Sequence, residues 1–175
     1  MPNMILLPDG TGTSSDDWET SSGTRHDCLD DDNGDTSFVS CDDDGETMII
    51  QFANPSVAEG DIDTIDSVRF LSSGRSTDRR NASSVVIGYH VPSTGAFNET
   101  CSYNAHAFTY ESLPGIPRAT SDGSSADWTY SDLEALEMIC TKMGAQMLRL
   151  SYLALRVDYT EAVAVDNATF FGANF

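Results

Sequence analysis

Short apolar runs separated by polar, turn-rich stretches dominate the chain. The runs are NMILL (3–7), TSFVS (36–40), ETMIIQF (46–52), IDSVRFL (65–71), SSVVIGYHV (83–91), ETCSY (99–103), AFTYESL (107–113), EMICTKM (137–143) and MLRLSYLALRVDY (147–159). Several alternate strictly. Met48, Ile50 and Phe52 share one face of an extended segment, as do Val85, Ile87, Tyr89 and Val91, the period of a half-buried strand. Stretches such as SSGRSTDRRN and PGIPRATSDGSS read as the turns between them. Many short strands with turn signals at each end predict an all-β, jelly-roll-like antiparallel sandwich.

Two places break the simple alternation. In WTYSDLEALEMI, Ser131 followed by Glu134 reads as a capping box, with Leu133 and Leu136 on one face. That predicts a short helix on a crossover between strands. In the last long run, Leu148, Leu150 and Tyr152 alternate on one phase, and Leu153, Leu155, Val157 and Tyr159 on the other. A regular ladder cannot turn both sets inward. A β-bulge near Tyr152 would reset the phase, and it is favoured over a strand buried on both faces.

After Tyr159 the pattern weakens. The sandwich is therefore expected over residues 1–160, with 161–175 as a C-terminal extension. That tail is either a docking arm or a final strand, and Phe170, Phe171 and Phe175 are its candidate subunit contacts.

Charge changes the picture more than length does. The 175 residues suit one domain, but 28 acids face nine bases, for a net charge of −19 with a single lysine, Lys142. Such a chain repels nucleic acid and anionic membranes, so direct binding to either is not expected. No apolar run reaches the roughly 18 residues of a membrane helix. The opening MPNMILLPDGTG lacks a basic, long-apolar leader, so a secretory signal is not expected.

A cation-binding surface or a halophile's surface would each explain the acids. In about 1 M salt the Debye length is near 3 Å and the self-repulsion is screened. The scarcity of lysine favours the second.

The densest acidic stretch, CLDDDNGDTSFVSCDDDGE (28–46), is the place to look for a metal. It is not an EF-hand, because Leu29 falls at the first ligand position. A looser calcium or other cation site built on Asp30, Asp31, Asp32 and Asp35 remains the one cofactor expectation. The four cysteines form no CxxC pair, which removes zinc-knuckle and thioredoxin-type chemistry. They are expected as reduced, mostly buried thiols, with a Cys28–Cys41 disulfide as the alternative.

No GxSxG elbow, P-loop, GxGxxG or HExxH is present, and the three histidines are scattered. Carboxylate pairs are too abundant to single out a glycosidase dyad. No enzyme is expected.

Taken in order, MILLPDGTGTSSDDWETSSG, the acidic segment closing on TSFVS, IDTIDSVRF, SSVVIGYHV, FTYESLPGIP, WTYSDLEALEMI and LRLSYLALRVDY resemble one family. It is that of the small jelly-roll structural proteins encoded in the virion modules of tailed bacteriophages and haloarchaeal tailed viruses. Trp128, Thr129, Leu133, Leu136 and Glu137 match its W-T-x-x-x-[LV]-x-x-L-E segment. Leu148, Arg149, Ser151, Val157 and Tyr159 match its closing strand. Ile139 stands where that family has a glycine.

The resemblance covers roughly residues 3–160. It implies a non-catalytic virion component (capsid decoration, vertex or turret, or tail) whose partners are copies of itself and other virion proteins. The virion would then be its location. A carbohydrate-binding sandwich with a host glycan as ligand is the alternative, and an unrecognised hydrolase a third; fold alone does not separate them.

Overall fold

Strand β13 (Leu148–Glu161) is the hub, and its neighbours define the architecture. The structure, a computed structural model, describes residues 1–11, 17–31, 36–77, 83–91, 95–103, 109–112, 118–119 and 125–163. In chain order the strands are β1 (Asn3–Leu6), β2 (Pro8–Thr11), β3 (Glu19–Thr20), β4 (Val39–Cys41), β5 (Thr47–Phe52), β6 (Ile62–Ser76), β7 (Ser83–Val91), β8 (Gly95–Tyr103), β9 (Thr109–Ser112), β10 (Arg118–Ala119), β11 (Ser125–Ala126), β12 (Glu137–Met143) and β13. Helix α1 (Tyr130–Glu134) precedes β12, and 3-10 turns lie at His26–Cys28 and Glu59–Asp61.

Two antiparallel sheets form a sandwich. The first runs β3-β4-β13-β6-β9, with β1 also on β13; the second runs β2-β5-β12-β7-β8; β10 and β11 make a small separate ribbon. The predicted all-β sandwich is what the chain builds, and each of the nine apolar runs overlaps a strand.

β13 resolves the phase conflict with a bulge. Leu150 pairs with Gly74 and Tyr152 with Ser73, so Ser151 is the extra residue. Leu148 and Leu150 before it, and Leu153, Leu155, Val157 and Tyr159 after it, all reach the same core. From the other sheet come Met48, Ile50 and Phe52 on β5 and Met138 and Cys140 on β12, also buried. Burying each such side chain contributes roughly 1.5–3 kcal/mol, which makes the alternation binding on the register.

The stretch SSGRS, expected as a turn, is instead the end of β6. Small residues there let the sheets approach. Ser72 and the fully buried Tyr103 of β8 share a 2.6 Å hydrogen bond between the two sheets. A Cβ on Gly74 would lie 2.8 Å from Leu150 Cδ2 and 3.1 Å from Tyr103 Cε1.

The helix is on the predicted crossover, but its cap is two residues earlier. Trp128 is buried and forms a bridge with Ile65 of the first sheet. That bridge holds the chain extended up to Thr129, which becomes the N-cap. Its hydroxyl accepts from Asp132 N at 3.3 Å, and the Asp132 carboxylate accepts from Thr129 N at 2.8 Å. Ser131 is exposed and does not cap. Ile139 sits mid-strand between Ile49 and Gly88, so no turn is required there.

Cys28 and Cys41 are buried free thiols and are not bridged to each other, and Cys140 is buried as well.

Candidate functional site: an acidic cleft and two acidic turns

The first acidic turn follows the 3-10 turn His26–Cys28. Asp27, not one of the predicted ligands, organises it: its carboxylate accepts from Thr24 N at 3.1 Å and from Thr24 Oγ1. Those hydrogen bonds, Thr24's hydroxyl first, hold the Asp27 carboxyl below its usual value. Leu29 is buried, and its carbonyl accepts from Leu153 N at 3.0 Å, which ties the turn to the hub strand. Arg25 donates to the Trp18 carbonyl through Nε at 3.1 Å and Nη2 at 2.9 Å.

Asp30 and Asp31 are both exposed, while Asp32 and Asp35 lie outside the described residues. Among the described residues no three His, Cys, Asp or Glu side chains gather closely enough to hold a metal ion. Phe170, Phe171 and Phe175 also lie outside the described residues.

The second acidic turn, Cys41–Glu46, contains its own cation. Met138, Cys140 and Lys142 alternate inward along β12, and Lys142 is fully buried. Its ammonium donates to the backbone carbonyls of Asp42 and Gly144. Around it, Gly45 N donates to Lys142 O, and Lys142 N to Glu46 O, both at 2.9 Å. Gly144 N donates to Asp44 Oδ1 at 2.8 Å. Gly45 and Gly144, at φ +87° and +94°, take the left-handed conformation that the two facing turns need. Burial pushes the neighbouring Cys41 thiol up, against the pull of the Lys142 charge. Asp42, Asp43 and Asp44 are exposed at the tip. Sequence reasoning noted Lys142 only as the sole lysine; its place on the apolar phase of β12 was the available signal.

A cleft of about 600 Å³ lies beside the helix. One wall is the 3-10 turn with Glu59, the floor is the start of β6 with Asp63 and Asp66, and the other wall is Asp127–Tyr130. The Ile65–Trp128 bridge joins floor to wall. Tyr130 Oη donates to the Val57 carbonyl at 3.0 Å, which fixes its ring. Asp66 is held by Thr64 and Thr160 hydroxyls at 3.2 and 3.0 Å.

The lining offers carboxylates, hydroxyls and two aromatics, and no Ser–His or Cys–His pair for nucleophilic catalysis. Its charge suits a cation or a neutral polyol and opposes an anion. No protein-family model matches the chain, and no significant match is found among curated proteins.

Proposed function

We propose that the protein is a non-catalytic structural component of a virion, assembling with copies of itself and with other virion proteins in high salt. The observation that carries this reading is where the resembling segments fall. The W-T…L-E segment is the helical crossover into β12, and the L-R-L-S segment is the hub strand β13. These two segments thus lead into the middle strand of the second sheet and form the middle strand of the first. A surface of exposed carboxylates supports a high-salt setting, since screening at about 1 M salt removes most of the self-repulsion of a −19 chain.

Sedimentation velocity of the full chain in molar KCl tests the reading. Discrete or extended oligomers are expected. A monomer at every protein and salt concentration would sink it.

The cleft favours one second reading, a glycan-binding module. Tyr130, half-buried in the cleft wall beside four carboxylates, offers a ring and hydrogen-bonding groups to a neutral sugar. Calorimetric titration with neutral oligosaccharides would show binding lost in Tyr130→Ala; no heat from any sugar would remove it.

A further inference from the structure

Basic residues are scarce in this chain, so where they sit carries information. Four of the nine lie on the outer face of the first sheet, as two directly opposed pairs: Arg149 with Arg75, and Arg156 with Arg69. Like charges facing each other across strands are destabilising unless something offsets them. Arg149 lies over the Phe38 ring at 4.3 Å, and both it and Arg75 are half-buried.

Arg156 and Arg69 are different. Each is 44 % exposed, and among the described residues the carboxylate they share is that of Asp158, at 2.9 Å from Arg156 and 3.8 Å from Arg69. One carboxylate for two guanidiniums leaves net positive charge. Ile5 of β1 stands opposite Arg156, extending the row across three strands, and Ile5 and Leu7 are 41 % and 38 % exposed. Asp63 and Asp66, earlier in β6, line the cleft.

An exposed aliphatic pair beside two guanidiniums has the composition of an interface centre rather than of a solvated face. Its best complement described in the molecule is the acidic tip Asp42–Asp44. That tip is held rigid by Lys142 and the Asp44–Gly144 contact, so little ordering is needed on binding. Tip and patch belong to opposite ends of the first sheet. Cys41 pairs with Leu148 and Ile5 with Arg156, about 25 Å apart along β13 at strand rise. One copy therefore does not satisfy itself.

We propose that the Ile5–Arg156–Arg69 row is a docking surface for the Asp42–Asp44 turn of a second copy. The contact joins unlike surfaces, which propagates into rings or filaments. This inference rests on the self-assembly reading above and names the surfaces that carry it. Salt acts on it in an uncommon direction. At about 0.1 M the Debye length is about 10 Å and two −19 chains repel; near 1 M it is about 3 Å, and only contact-range Arg–carboxylate pairs persist. Association strengthens as salt rises.

The test uses sedimentation of full-length variants in molar KCl, with circular dichroism melts to confirm folding. Arg69→Glu with Arg156→Glu removes the patch, and Asp42→Asn with Asp43→Asn removes the tip. Each is expected to weaken self-association at least tenfold. Mixed one to one, they should form a dimer, because one supplies an intact tip and the other an intact patch. Ile5→Asp, which touches no ion pair, serves as a second patch variant if the arginine variant does not fold. Folded variants that assemble like the parent would overturn this proposal alone, and so would a mixture that stays monomeric. A parent that is monomeric throughout would overturn the assembly reading as well.

Discussion

The two acidic turns are alike in composition and opposite in construction. In the first, a carboxylate does the bonding: Asp27, on the surface, gathers the Thr24 amide and hydroxyl. In the second, the carboxylates of Asp42 and Asp43 point to solvent while the main chain is bonded from beneath by the buried Lys142 ammonium. The difference teaches that a run of aspartates does not by itself announce a metal. An acidic turn needs its carbonyls and amides satisfied, and a lysine from the neighbouring strand does this as a bound cation would.

Breaking the second turn should have the largest effect. Lys142→Met keeps the length but strands the Asp42 and Gly144 carbonyls, and should cost about 3 kcal/mol, at the upper end for buried groups left unpaired. Urea unfolding would measure it; an unchanged midpoint would mean the ammonium holds nothing. Gly144→Ala should cost less, about 1–2 kcal/mol, because the φ of +94° strains any side chain while the ammonium stays in place. Between the cap candidates, Thr129→Ala should cost about 1 kcal/mol and Ser131→Ala only a few tenths. Equal losses would contradict the cap placement.

Acid should separate the turns with the smallest energetic change. Asp27's folded pKa is depressed below its usual 3.8. Its contribution is therefore fully present above that value and lost as pH falls through the lowered one. The Gly45 amide bonds to a carbonyl and has no such dependence. Amide exchange should show Thr24 losing protection in that window while Gly45 keeps it. Simultaneous loss would mean that the second turn also depends on its carboxylates. Asp158 titrates in the same sense: burial raises its pKa, but the Ser67 hydroxyl, Arg156 and Arg69 together outweigh it and lower the value.

Much of the fold was legible because one face of each sheet is buried, which forces period-two patterns into the sequence. The bulge in β13 was legible for the same reason, as a change of phase. Three features were not. SSGRS reads as a turn because serine and glycine favour turns locally, yet close approach of the sheets at Tyr103 overrides that preference. The capping box moved to Thr129 because a tertiary bridge at Trp128 set where the helix starts. Lys142 lies on the apolar phase of β12, but a charged residue there reads as an interruption until its carbonyl partners are known. Of the four residues expected to hold a cation, Asp30 and Asp31 are exposed, and Asp32 and Asp35 lie outside the described residues.

The position of β13 also sets the order of events when the chain folds. It pairs with β1, β4 and β6, and the paired residues Met4 and Val157 are separated by most of the sequence. Until residues 148–161 have been synthesised, those three strands keep open edges and the first sheet has no centre. Closing such long loops is slow, on the order of milliseconds to seconds for β-sandwiches, and open edges invite pairing with other chains meanwhile.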